Sequence, residues 1–174
     1  MKKTKEKITV REMTLFSMFA ALMLVSKLLM ENLPNIHAIG MLTMVFTIVY
    51  RKKALIPLYI YIFLNGLVEG FSLWWIPYLY VWLILWAMTM LIPQNISKKW
   101  ATPVYAVVCA LHGISFGVLY APCQAIMFHL DGKALLAWIV SGLYFDCLHA
   151  GGNFCLGLLI YPLSRVLKKL EKTH

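Results

Sequence analysis

Charge is scarce in this chain. Only 13% of its 174 residues are Asp, Glu, Lys or Arg, and seven of those are acidic. Soluble domains carry about 25% charged residues. A chain of one-domain length that is 61% hydrophobic has more apolar side chains than its own interior can hide. The shortage excludes an ordinary water-soluble domain, and a mean hydropathy of +0.76 puts the chain in lipid.

Other absences narrow the function. No Cys-x-x-Cys pair occurs, and Cys109, Cys123, Cys147 and Cys155 all sit in apolar runs. They are expected to behave as small hydrophobes, not as disulfide or zinc ligands. No phosphate-cradling Gly-x-x-x-x-Gly-Lys-Ser/Thr loop is present, nor a His-Glu-x-x-His or Gly-x-Ser-x-Gly signature. A transporter without a nucleotide loop needs an ion gradient or a partner that supplies the ATPase. No internal repeat marks two inverted halves of the secondary-transporter kind. The basic N-terminus lacks a small-residue cleavage site before the first apolar run, so that run is expected to be retained.

The basic residues that are present are clustered. Apart from Lys27 and Lys133, all sixteen Lys and Arg fall within residues 2–11, 51–53, 98–99 and 165–172. Long apolar runs separate the clusters, and no basic face with interleaved aromatics runs along one element. Charge of this pattern fits membrane orientation and argues against nucleic-acid binding. The apolar runs predict spans at 13–30, 36–50, 54–68 and 77–92. The stretch 101–167 must then cross twice, because both its ends are basic. The result is an all-α, single-domain bundle of six transmembrane helices with both termini cytoplasmic, located in the cell membrane. The stretch 101–167 is too long for two plain spans, so additional structure is expected between Pro122 and His149. The second and third spans are short, covering roughly 22 Å of a core about 30 Å thick. Irregular backbone at that depth is tolerated where protein or a cavity surrounds it.

Polar residues gather toward the non-cytoplasmic end. Lys27 and Glu31 are four apart and are expected to pair and snorkel. Asn65 and Glu69 are also four apart. Interfacial solvation accounts for His37, His129 and Asp131. The more pointed constellation is Asp146, His149 and Asn153, whose offsets put them on one helical face. Trp138 joins that face if the helix runs unbroken through Gly151-Gly152. A carboxylate, an imidazole and a carboxamide beside an indole can hold a polar aromatic ligand. The alternative is a helix–helix polar contact. No third ligand accompanies Asp146 and His149, so no metal and no cofactor is expected. Glu31, Glu69, Asp131 and Asp146 outnumber Lys27 and Lys133 there, which favours a neutral or cationic ligand over a polyanion.

Two segments, GLVEGFSLWWIPYLYVW at 66–82 and WIVSGLYFDCLHAGGNF at 138–154, together with LLIYPL at 158–163, carry a family likeness. The whole chain resembles the substrate-binding S component of energy-coupling factor (ECF) vitamin transporters. The resemblance implies a six-helix bundle with a site for a vitamin-like small molecule near its outer face. That site would draw on Asp146, His149, Asn153, Trp138, Trp74, Trp75, Glu69 and Asn65. It also implies docking on a membrane coupling protein that carries two cytoplasmic ATPases. S components often show Ala-x-x-x-Ala in the first span at this contact; here the pattern is Ser17-x-x-x-Ala21, still small enough for close helix approach. The expected function is uptake without chemistry of its own. The competing classes are a small membrane enzyme using Asp146 and His149 as an acid–base pair, and a structural subunit of another membrane complex.

The charge pattern yields a topology test. In a background lacking the native cysteines, cysteines placed at Asn35, Ser72 and Lys133 should react with an impermeant thiol reagent added outside whole cells. Those placed at Lys52 and Lys98 should not. Labelling at the latter pair instead would reverse the orientation.

Overall fold

The computed structural model describes residues 8–172, and among them there is no strand. Eight helices follow in order: α1 (Val10–Leu29), α2 (Ile39–Tyr50), α3 (Leu55–Glu69), α4 (Tyr78–Leu91), α5 (Lys98–Ile114), α6 (Phe116–Phe128), α7 (Gly132–Gly157) and α8 (Ile160–Lys172). A single 3-10 turn, Arg51–Ala54, joins α2 to α3.

Local chemistry sets the helix ends. Thr9 caps α1 by accepting from the Glu12 N–H, and the Glu12 carboxylate accepts in return from the Thr9 N–H. Glu12 also accepts from Lys53 at 2.6 Å, tying the start of α1 to the 3-10 turn. Gly70, at φ +88°, stops α3 in a conformation that suits glycine. Pro77 precedes the first residue of α4, where its fixed φ suits the helix start. Asp131 caps α7 by accepting from the Ala134 N–H at 2.7 Å.

Three helical stretches are long and apolar enough to cross a membrane: α1, the α5–α6 run from Lys98 to Phe128, and α7. The shorter α4 is also apolar. The surface agrees with a membrane location. Large hydrophobic side chains such as Leu29, Leu91 and Ile126 are exposed, whereas Asn65, His112, Asp146, His149 and Asn153 are buried. That is the reverse of a water-soluble protein and matches a bundle whose costly polar groups face inward.

The short second helix is explained by its place. Every residue of α2 from Ile39 to Ile48 is buried, and the helix touches α1, α4, α5, α7 and α8. Twelve residues rise only about 18 Å, but protein surrounds α2, so its length need not match lipid.

The additional structure expected between Pro122 and His149 is a helical hairpin, made by α6 and the first half of α7. Helix α7 runs unbroken through Gly151-Gly152. Its inner half packs on α5 at unusually close range. A Cβ built on Gly113 would lie 2.8 Å from the Ala150 Cα, and one on Gly157 would lie 2.7 Å from the Ala106 Cα. One built on Gly117 would lie within 2.4 Å of the Asp146 carboxylate. The three pairs share one antiparallel register. Small residues at these levels let the two backbones meet, as membrane helices require in the absence of a hydrophobic drive between them.

Gly113→Leu should therefore force α5 and α7 apart and cost about 1–3 kcal/mol, as overpacking does. Gly151→Ala, where a Cβ meets open space, should leave stability unchanged or raise it. Thermal unfolding of both variants in detergent reads the difference. A Gly113→Leu protein that melts with the parent would show that the close approach is not needed.

Candidate functional site

The α5–α7 contact divides the polar face of α7 into groups with different tasks. Asp146 accepts from the Gly117 N–H with both carboxylate oxygens, each at 3.1 Å. In an unbroken helix that N–H would donate to the carbonyl four residues back. Asp146 takes it instead, at the point where α5 gives way to α6 after Ser115. A side chain inserted into the helical ladder is a recognised cause of such a break. Asn153 donates its Nδ2 to the Cys109 carbonyl at 3.2 Å. Both residues thus clamp α7 to the α5–α6 run.

His149 is different. It is 2% exposed, yet its Nε2 has no hydrogen-bond partner among the described residues. Its ring belongs to a closed set of four. His149 lies 5.0 Å from His37 and 6.5 Å from His112, and Trp82 lies 5.7 Å from His37 and 5.4 Å from His112, between ring centroids. Each of the four carries one buried ring nitrogen without a partner: His37 Nδ1, Trp82 Nε1, His112 Nδ1 and His149 Nε2. The other nitrogen of His112 is engaged with the Val81 carbonyl at 3.1 Å. Phe116 covers His149 from α6, at 4.8 Å. An unsatisfied buried polar atom costs about 1–3 kcal/mol, so four in one cluster are a concentrated cost that a polar partner would relieve.

A cavity of about 240 Å³ opens onto this cluster. It lies at the end of the bundle that carries the α1–α2 connection. His37, His149, Phe116 and Tyr78 line it together with Lys27, Glu31 and Glu69. Asp146 and Asn153 do not line it, and neither do Trp74, Trp75 or Trp138.

The aromatic residues singled out in the sequence go to supporting positions. Trp75 donates its Nε1–H to the Ile62 carbonyl at 2.8 Å and so folds the α3–α4 loop onto α3. The Trp74 carbonyl accepts from the Tyr120 hydroxyl, its ring packs on Tyr78, and the Lys27 ammonium stands 5.6 Å from its centroid. Trp138 is half-buried on the hairpin half of α7, about three turns from His149.

Two expectations about charged and polar groups are corrected. Lys27 does not pair with Glu31. Helix α1 ends at Leu29, so Glu31 lies beyond it and the four-residue spacing no longer brings the two together. Lys27 reaches across to α3, where it forms an ion pair with Glu69 and donates to Asn65 Oδ1 at 3.0 Å. His37 is not simply solvated at the interface, because its Nδ1 is buried in the ring cluster. His129 and Asp131 do behave as turn residues: His129 is exposed with φ +50°, and Asp131 is the cap of α7. Sequence reading missed His112 and Trp82. The available signal was an imidazole in the middle of an apolar run, which in a membrane protein faces inward for a reason.

No group of three His, Cys, Asp or Glu side chains among the described residues is arranged to hold a metal ion. The cluster is a set of hydrogen-bonding rings at the floor of a small cavity, with charge at its rim.

The division of labour is testable. Asp146→Ala should cost about 1–3 kcal/mol of stability, since it strands the buried Gly117 N–H. His149→Phe should keep stability, because it removes an unpartnered nitrogen and retains ring packing. Melting temperatures in detergent would check both, and equal losses in the two variants would contradict the assignment.

Comparison of the chain with protein-family models, with curated proteins and with solved structures gives no match.

Proposed function

We propose that this chain is the membrane-embedded substrate-binding subunit of an ECF-type importer. It captures a vitamin or related micronutrient at the outer face, for uptake driven by ATPases on a partner. The observation that carries this reading is the cavity over the His37–Trp82–His112–His149 cluster. It lies inside a bundle with an apolar exterior, at the end opposite the basic clusters. Concave sites where a few polar groups converge beside aromatic rings are where small ligands bind, and here His37 and His149 converge beside Phe116 and Tyr78.

In this reading the chain crosses the bilayer six times: α1, α2, α3 and α4 once each, the α5–α6 run once, and α7 with α8 once. Both ends lie in the cytoplasm, as the basic clusters favour. The lack of a nucleotide loop in the sequence supports dependence on a coupling protein with two ATPases. Ser17 and Ala21 are both exposed on α1, and the Ser17 hydroxyl is turned back to the Met13 carbonyl at 3.0 Å. That leaves a small, flat patch suited to close approach by another helix. Acid–base chemistry by Asp146 and His149 has less support, because Asp146 is held by Gly117 and does not line the cavity.

Mass spectrometry of small molecules that co-purify with the chain in detergent is the direct test. The molecule found should raise the melting temperature when added back. The chain alone should bind it without concentrating it in vesicles. Replacing Ser17 and Ala21 together by Trp should abolish uptake in cells and leave binding intact. Concentrative uptake by the purified chain alone would refute the proposal.

A further inference from the structure

The proposed uptake role leaves the ligand's chemical class open, and the lining of the cavity narrows it. Its floor is aromatic and nitrogen-rich. His149 and His37 line it with Phe116 and Tyr78, and each histidine has one buried ring nitrogen without a partner among the described residues. Imidazole nitrogens accept or donate according to tautomer, so the floor suits a flat ring that carries its own hydrogen-bonding nitrogen. Its size is restrictive. About 240 Å³ lies below the roughly 300–1,000 Å³ of pockets for drug-sized ligands, which fits one or two fused rings with a short substituent.

The rim selects charge. Three charged side chains line the cavity: Lys27, Glu69 and Glu31. Lys27 and Glu69 neutralise each other as an ion pair, and Lys27 has Asn65 as a further partner. The Glu31 carboxylate has no hydrogen bond or ion pair with any described residue, and the residue is exposed; only its backbone N–H is engaged, by the Leu28 carbonyl. The rim therefore presents one uncompensated carboxylate to whatever enters. A cationic group gains a charge-assisted bond there, and an anionic one meets repulsion.

We infer that the cavity takes a compact nitrogen heteroaromatic bearing a single cationic group. The ring seats against His149, His37, Phe116 and Tyr78, and the cation faces Glu31. This rests on the reading of the chain as a binding subunit. It adds the class of ligand and names Glu31 as the residue that determines charge specificity.

Two probes of matched shape and opposite charge test it: tryptamine, a cation, and indole-3-propionate, an anion. Each is titrated calorimetrically into the purified full chain in detergent. Tryptamine should bind at least about tenfold more tightly, the scale of one charge-assisted hydrogen bond. Glu31→Gln should erase that preference with no change in melting temperature, since the Glu31 side chain is exposed and makes no hydrogen bond or ion pair with a described residue. His149→Phe should weaken tryptamine while leaving any preference for the cation in place. Equal affinity for the two probes, preference for the anion, binding of neither, or a preference that survives Glu31→Gln would each overturn the class. The uptake reading is judged separately by the co-purifying molecule. If that molecule is an anion that stabilises the chain, the class falls and the uptake role stands. If no small molecule co-purifies or stabilises the chain, the uptake role loses its support as well.

Discussion

The close antiparallel contact of α5 with α7 is the constraint on which the rest of the inner structure depends. Glycines at 113, 117 and 157 remove the side chains that would otherwise separate the two helices. With the backbones together, Asn153 reaches the Cys109 carbonyl and Asp146 reaches the Gly117 N–H. The same approach brings His149 beside His112. Interhelical hydrogen bonds in membranes are worth only about 0.6–2 kcal/mol each. The clamp therefore owes its specificity to the register set by small residues, and the hydrogen bonds follow from that register.

A second consequence is the bend. Asp146 occupies the Gly117 N–H and interrupts the helical ladder, so α6 departs from α5 as a separate helix. Phe116, the first residue of α6, is then carried over His149 and into the cavity wall. A residue that reads as a ligand group in the sequence thus shapes the cavity from outside it. At the other side of the cavity, the Lys27–Glu69 pair ties α1 to α3 and takes one carboxylate of the rim out of play. The cluster of four rings lies between these two supports, and each of its rings keeps a buried nitrogen with no hydrogen-bond partner among the described residues.

How much of this was legible differs from residue to residue. The all-helical class, the apolar exterior and the inward location of Asp146, His149 and Asn153 follow from spacing and composition. The split of that face does not. Asp146, His149 and Asn153 have the same helical periodicity, and nothing in their own segment distinguishes a clamp from a free imidazole. The Lys27–Glu31 expectation failed for a related reason. Spacing of four implies contact only while the helix continues, and α1 stops at Leu29. Trp74, Trp75 and Trp138 were conspicuous by type, yet the indole in the ring cluster belongs to Trp82. Composition cannot rank six tryptophans by which one faces the centre.

By itself the sequence determined that this chain has too much apolar surface for water, that its polar groups must be few and inward, and that its basic residues cluster between the apolar runs. Those are properties of composition and of the order of runs, and no partner residue enters them. The tertiary structure alone decided which polar groups are spent on packing and which remain free. That choice depends on the atom facing each side chain from another helix. The Gly117 N–H faces Asp146, the Cys109 carbonyl faces Asn153, and no hydrogen-bond partner among the described residues faces the Nε2 of His149. A hydrogen bond is a relation between two segments at a distance of about 3 Å, and such a relation exists only after the helices have packed.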